Sequence, residues 1–273
     1  MNFILGLFIF LFGVSIGSFL NVLIDRLPQE KKITGRSVCD YCGHQLAWYD
    51  LVPILSFFLL NGRCRYCHKK LSLQYPLVET ITGISFVLIS NFEFLIYKQT
   101  SIFQQLIFNL VYFGLASCLI VIFFSDFKYH LISDYVLWAL FWFSLFYHLI
   151  GIWVKIGVDH DRPLQFLTNF IFSGLIIAFP IWLIYFLSKE RAMGLGDVYL
   201  SAILGFLLGW QKGFLALYLA FVFGGITGLF LILFGRKKLK SKIAFGPFLV
   251  IGGLVMLFWG EGILRAVLRI YGL

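Results

Sequence analysis

Two cysteine pairs and two distant aspartates are the residues of this chain whose types and spacing could do chemistry. Cys39-Asp-Tyr-Cys42 and Cys64-Arg-Tyr-Cys67 are CxxC turns separated by 21 residues, close to the spacing of structural zinc ribbons. Thiolates at the two ends of a tight turn grip one metal ion, and a second such turn completes a tetrahedron. The competing reading is two disulfides, which would need an oxidising compartment. Four thiolates leave no open position for a water, so a zinc held this way is structural. Cys118 stands alone in an apolar stretch and reads as a small core residue. Asp126 and Asp197 could do a different chemistry if the fold brings them together. Two facing carboxylates share a proton, because like charges a few ångströms apart resist ionising together. One then acts as base on a water while the other, protonated, polarises a carbonyl.

The elements that must position these residues are membrane helices. The chain is 60% hydrophobic and 13% charged, with mean hydropathy +0.92, which excludes a soluble globular domain. Stretches apolar enough to cross a bilayer fall at 3–24, 74–96, 103–124, 131–151, 164–187, 196–210, 212–234 and 244–268. They predict an all-α polytopic membrane protein of about eight transmembrane helices, with the zinc-binding loop between the first two. The sixth stretch is short enough to be tilted, partly unwound or fused to the seventh. The first lacks a basic leader region and an A-x-A cleavage site, so it reads as a retained helix. The expected organisation is a first helix at 1–24, a loop at 25–73 and a helical body at 74–273.

Charge fixes the expected orientation. The loop at 25–73 carries Arg26, Lys31, Lys32, Arg36, Arg63, Arg65, Lys69 and Lys70. Loops of the same parity add Lys128, Lys189, Arg191 and the run Arg236, Lys237, Lys238, Lys240 and Lys242. The opposite side holds Lys98, Lys155, Arg162, Lys212, Arg265 and Arg269. By the positive-inside rule the amino terminus lies outside and the cysteine loop is cytoplasmic, where thiols stay reduced and zinc is preferred to disulfides. Anionic lipid accounts for the net charge of +9 without a nucleic-acid partner, and no nucleic-acid-binding module is visible.

The same parity sets the two acids on one face. Asp126 follows the third helix and Asp197 opens the sixth, both on the cytoplasmic side. An ionisable residue at a helix boundary in the bilayer is a functional candidate. Asp197 stands in Met193-Gly194-Leu195-Gly196-Asp197-Val198, and glycines before the acid would let an extended substrate strand approach the carboxylate. The plainer reading is an aspartate capping a helix start. Elsewhere the signals are structural. Gly224, Gly225 and Gly228 form a helix-packing face, and Glu261 and Arg265 pair four residues apart. Trp138, Trp142 and Trp153 include interfacial anchors, and His130 is a solvent-facing loop residue.

These motifs together resemble the bacterial type IV prepilin peptidases, the GxGD family of intramembrane aspartyl proteases. The resemblance covers nearly the whole chain. It begins at Gly17-Ser18-Phe19-Leu20-Asn21-Val22 and Arg26-Leu27-Pro28 and runs through both CxxC pairs. It continues through Trp48-Tyr49-Asp50-Leu51-Val52-Pro53, Gly62-Arg63-Cys64, Tyr75-Pro76-Leu77-Val78-Glu79, Asp126, the GLGD segment and Phe245-Gly246-Pro247-Phe248. Asp40 stands where the family often has proline after its first cysteine, and Ser133 where proline is usual after the first aspartate.

The resemblance implies an enzyme of the bacterial cytoplasmic (inner) membrane that cuts the basic leader from type IV prepilins or pseudopilins. It implies methylation of the new amino terminus with S-adenosylmethionine. By motif the catalytic pair is Asp126 and Asp197, with Gly194 and Gly196 on the substrate's approach; Asp134 is a competitor for the first role and reads as a helix cap. Methyl transfer is expected of the zinc loop and its borders, with Glu79, Asn21 and Arg26 as the polar residues there. Each has a structural alternative: Glu79 pairing with a lysine, Asn21 bonding between helices, Arg26 reaching lipid phosphates. Two other classes compete. A proton-coupled transporter would spread its acids through the membrane, and a scaffold would use the zinc loop only to dock a partner.

Overall fold

The computed structural model describes residues 3–96, 102–153, 163–191, 193–235 and 244–270. The basic run from Arg236 to Lys242, and Lys98, Lys155 and Arg162, lie outside the described residues. The described chain is helical: α1 (Phe3–Arg26), α2 (Leu55–Leu59), α3 (Gln74–Ile96), α4 (Ile102–Tyr129), α5 (Asp134–Trp153), α6 (Pro163–Ser188), α7 (Leu195–Leu208), α8 (Trp210–Leu233) and α9 (Gly246–Ile270). Six of these are long and apolar enough to cross a membrane: α1, α4, α5, α6, α8 and α9. This is a multi-pass membrane protein. The chain divides into two compact units, Met1–Val121 and Ile122–Leu273.

In the first unit α1 and α3 form a close antiparallel pair. Glycines set the separation, because a Cβ on Gly13 would lie 2.8 Å from the Gly83 Cα and one on Gly17 would lie 2.7 Å from the Glu79 Cα. Small residues four apart let membrane helices approach backbone to backbone. The register continues one turn on, where the Asn21 amide donates to the Tyr75 carbonyl at 3.1 Å. The apolar run of α1 ends at Asp25-Arg26, and Pro28 follows in a 3-10 turn. Farther along α3, the Phe86 ring stacks on Phe113 of α4 at 4.0 Å.

In the second unit α7 is the central helix, packed by α5, α6, α8 and α9. Leu200 and Ser201 on it are completely buried. Its 14 residues span about 21 Å, short of the roughly 30 Å hydrocarbon core. The short sixth stretch is thus neither unwound nor fused: Gly209, at φ +78°, separates it from α8 with a single residue. Only glycine takes that conformation without a steric cost. The third helix runs on to Tyr129, so Asp126 lies inside its last turn and does not follow it. His130 ends this helix in the left-handed conformation at φ +54°, with its N–H on the Asp126 carbonyl at 2.9 Å, and its side chain is exposed.

The expected pairing of Glu261 with Arg265 takes another form. The Glu261 carboxylate meets Lys212 at 2.5 Å, and the Arg265 Nε donates to the Glu261 backbone carbonyl at 3.3 Å. Gly224 faces Phe248 of α9, whereas Gly225 faces open space. Trp138 and Trp142 are exposed, and Cys118 is buried.

Candidate active site and metal centre

The cysteine loop is built from one backbone pattern used twice. In the first turn the Cys39 N–H donates to the His44 carbonyl at 3.0 Å and the Gly43 N–H to the Cys39 carbonyl at 2.9 Å. In the second the Cys64 N–H donates to the Lys69 carbonyl at 2.9 Å and the His68 N–H to the Cys64 carbonyl at 2.9 Å. The residue after each second cysteine is left-handed, Gly43 at φ +67° and His68 at φ +56°. An isolated antiparallel bridge closes each turn, Val38 with Gln45 and Arg63 with Lys70. Every partner in the second turn is displaced 25 positions from its counterpart in the first.

The two turns aim their sulfurs at one point. The Sγ atoms of Cys39, Cys42, Cys64 and Cys67 lie within 4.8 Å of one another, and those of Cys39 and Cys67 are 3.8 Å apart. Metal–sulfur bonds of about 2.3 Å in a tetrahedron put sulfurs about 3.8 Å apart, so the four residues fit one metal ion. All four are free thiols. Burial opposes ionisation of Cys39, but the N–H groups of Cys42 and Tyr41 and the neighbouring thiols bring it down to about 7. The Lys69 N–H favours the Cys67 thiolate, yet burial and the three other sulfurs push it up to about 11. Four sulfurs this close cannot all carry charge without a cation between them.

The rest of the loop is tied to these turns. The Asp50 carboxylate receives the Arg65 Nε at 2.7 Å, the Tyr66 hydroxyl at 3.2 Å and the Ala47 N–H at 3.2 Å. Burial alone would raise the Asp50 carboxyl, but these donors, Arg65 foremost, hold it below the usual carboxylate range. The rings of His44 and Tyr66, one from each turn, lie 3.7 Å apart. Tyr75 at the head of α3 reaches both Asp25 and Asp40 at 3.2 Å.

Glu79 and Asn21 share the α1–α3 seam, one turn apart, and both are buried. One Glu79 oxygen accepts the Ile54 N–H at 2.7 Å, so the glutamate holds the loop backbone, and among the described residues no lysine pairs with it. The Asn21 side-chain oxygen is buried without a hydrogen-bond partner among the described residues. Arg26 is not part of this group. Its guanidinium donates to the carbonyls of Lys32, Ile33, Thr34 and Arg36 and so folds the loop back on the end of α1.

The second unit brings the two aspartates together. Asp126 and Asp197 are both buried, and their charges act on one another. Each is held by the start of a helix. The Gly246 N–H, first in α9, donates to Asp126 Oδ2 at 2.9 Å. Helix starts carry free N–H groups, and Pro247 at the next position has none to offer, so this donor is a single fixed one. The Gly194 N–H, at the N-cap of α7, donates to Asp197 Oδ2 at 3.2 Å. The helix-capping reading of Asp197 therefore holds as well, from the third helical position. Its other oxygen, Oδ1, is buried without a partner among the described residues. Asp134 opens α5 as an exposed residue.

The glycines act through the side chain they lack. Gly194 is extended and Gly196 already helical, so neither needs left-handed backbone. A Cβ on Gly194 would stand 4.0 Å from Asp197 Oδ2, and that position is exposed. A Cβ on Gly196 would press on Ile132 at 3.0 Å. Ile132 also borders Gly246, so it sits between the starts of α7 and α9. Sequence reasoning assigned no role to Gly246 or Ile132. Glycine and proline opening an apolar helix was the available signal for Gly246.

A Cβ on Gly246 would lie 2.7 Å from Asp126 Oδ2. Gly246→Ala should swing that carboxylate off its donor, and a proteolytic role for Asp126 predicts a rate about 100-fold lower, the usual cost of an ångström's misplacement. Protein level in membranes should stay unchanged. Turnover measured on solubilised enzyme checks this, and an unaltered rate would mean that the Gly246 contact does not set the geometry.

Two family models match the chain. Residues 11–92 match the bacterial peptidase A24 N-terminal domain, and residues 113–229 match the type IV leader peptidase family. The chain is 30% identical to a prepilin leader peptidase/N-methyltransferase of Aeromonas salmonicida, over 94% of this chain and 91% of the relative. Proteins of the same name from Legionella pneumophila, at 30% over 93% and 91%, and Pseudomonas putida, at 27% over 95% and 92%, are also similar. No solved structure matches the chain. With the relatives matched over nearly their full length, the chain belongs to the prepilin leader peptidase/N-methyltransferase family.

Proposed function

We propose that this protein cleaves the basic leader peptide from type IV prepilins or pseudopilins with Asp126 and Asp197, and then methylates the new amino terminus. The observation that carries the reading is the state of the two carboxylates. Each has one oxygen fixed by a helix-initial N–H, and Asp197 Oδ1 has no partner among the described residues. Fixed orientation plus an unused acceptor is what general base catalysis on a water requires. One aspartate takes a proton from the water as its oxygen attacks the scissile carbonyl. The other gives its proton to the carbonyl oxygen. The tetrahedral species collapses as a proton passes to the leaving amine, and no covalent enzyme intermediate forms. Gly194, exposed beside Asp197, leaves the approach clear for an extended strand, and Gly196 lets Ile132 pack beside that approach.

Methyl transfer is assigned to the loop at 25–73 and its borders, and cleavage to the helices of 74–273. S-adenosylmethionine would supply the methyl group. The buried Glu79 carboxylate and the Asn21 oxygen, unpartnered among the described residues, suit a cationic group on the α1–α3 seam. Glu79 can hold and deprotonate the substrate ammonium, and Arg26 shapes the loop above it. Cys39, Cys42, Cys64 and Cys67 hold zinc, whose role is to fix the loop. The protein sits in the bacterial cytoplasmic membrane with its amino terminus outside. The cysteine loop and the aspartates then face the cytoplasm beside anionic lipid, in line with the basic residues of the loop.

The test is a prepilin supplied to membranes holding the protein, with the product weighed by mass spectrometry. The reading predicts loss of the leader and gain of one methyl group on the new terminus; an intact prepilin would overturn it. Glu79→Gln keeps an acceptor for Ile54 but removes the base. It should lower methyl transfer about 100-fold, the lower end for a lost general base, while cleavage stays within about twofold. Equal loss of both products would make Glu79 a structural residue.

A further inference from the structure

The segment between the two cysteine pairs ends in α2, a helix of five residues. Leu55, Phe58 and Leu59 stand at positions i, i+3 and i+4, so they share one face. That face is bare, with the three side chains 56%, 67% and 72% exposed. The other side faces inward, where the Phe57 ring lies against Gly62 and its carbonyl takes the Gly62 N–H at 2.8 Å. Trp48, in the 3-10 turn just before, is 79% exposed. A helix with its apolar face turned outward on a charged loop is the reverse of what water selects.

The depth of α2 explains it. Ile54, immediately before α2, is tied by its N–H to Glu79. Glu79 is the sixth residue of α3 and lies beside Gly17 of α1, two turns inside the charged pair Asp25-Arg26 that ends the apolar run of α1. A glutamate side chain leans toward the amino end of its helix, so Ile54 sits roughly one turn, about 5 Å, below the level of those charges. Interfacial helices are buried to about that depth. The outer face of α3 there shows Leu77 and Ile81, exposed and continuing through Ile84 and Leu88 in one stripe. The backbone is forced into this position. Ile54 holds φ +61°, ψ −54° at the centre of a γ-turn between the Pro53 carbonyl and the Leu55 N–H, a costly conformation for a β-branched residue. Such strain persists where the surroundings over-determine it, here through the buried Glu79 carboxylate.

We propose that α2 is a membrane anchor lying in the interface of the leaflet next to the four-cysteine loop, with Leu55, Phe58 and Leu59 among the acyl chains and Trp48 at the headgroups. The occupant of the bare face is lipid, because this face lies at the depth of the lipid-facing stripe of α3. The polar backbone is tolerated at that depth because the Ile54 and Leu55 N–H groups are both satisfied.

The full-length protein in nanodiscs, with no prepilin added, tests this. A nitroxide is attached through p-acetylphenylalanine at position 58, at Leu88 as the lipid reference, or at Lys70 as the water reference. Relaxation by oxygen is compared with relaxation by a water-soluble nickel chelate. The expected oxygen-to-nickel ratio at position 58 lies between those at 70 and 88 and exceeds that at 70 several-fold. A ratio at 58 like that at 70 overturns the proposal. So does exclusion of both relaxing agents, which would mean that protein, such as a second copy of the chain, covers the face. Metal content per chain reports whether the labelled loop is folded; if the label at 58 lowers it, the same comparison is made at position 59.

Discussion

Asp126→Asn and Asp197→Asn should each reduce leader cleavage by about 1,000-fold or more, within the range for loss of a positioned acid or base. The reason lies in what each change keeps. An asparagine oxygen can still accept the Gly246 N–H at position 126 or the Gly194 N–H at position 197, so the starts of α9 and α7 keep their caps. What disappears is the ability of that side chain to exchange a proton with water or with the scissile carbonyl. The proposed mechanism has the two acids act as one unit, so the double variant should be no worse than either single one. The measurement is single-turnover cleavage of a prepilin by purified enzyme, with membrane insertion checked by protease protection of the loop. Cleavage above about a tenth of the wild-type rate in both single variants would remove the pair from the mechanism and leave the acids as helix caps.

Replacing Cys39 and Cys42 together with serine should release the metal and lower methyl transfer by at least about 100-fold, the upper end of what loss of a mere supporting partner costs. Cleavage should fall far less. Binding energy at a structural metal is folding energy for the segment that holds it. Here the metal would join two turns that otherwise meet through the tilted rings of His44 and Tyr66 and the Asp50 contacts. Without it the 25–73 loop loses its centre, while the aspartates are held by α7 and α9, in the other compact unit. Metal analysis, with both products weighed after the same incubation, checks this. Equal loss of cleavage and methylation would show that the loop supports the whole enzyme.

Much of the fold is legible in the sequence because membrane helices are specified locally. A run of apolar residues must satisfy its own backbone in lipid, so length and composition alone locate it. The end of α4 is harder, since Ser125-Asp126-Phe127-Lys128-Tyr129 reads as a polar exit. The helix continues because Ser125 and Asp126 are buried and bonded, Ser125 to the Leu131 carbonyl at 2.6 Å and Asp126 to Gly246. The cysteine cluster is legible for the same local reason, as each CxxC turn carries its own geometry. Contacts between distant segments are not. Nothing near Glu79 announces that it will hold Ile54, and nothing near Glu261 announces Lys212 in place of Arg265. Those partners depend on which helices pack together, and close approaches such as Gly17 on Glu79 decide that.

The duplicated backbone pattern of the cysteine turns bears on how the loop would receive its ion. Each half is shaped by its own hydrogen bonds and its own closing bridge, so neither waits for an ion to give it form. Loading then resembles the shutting of two ready-made jaws. A larger thiophilic ion such as cadmium should be accommodated by a slight parting of the jaws, with the curvature of each left as it is.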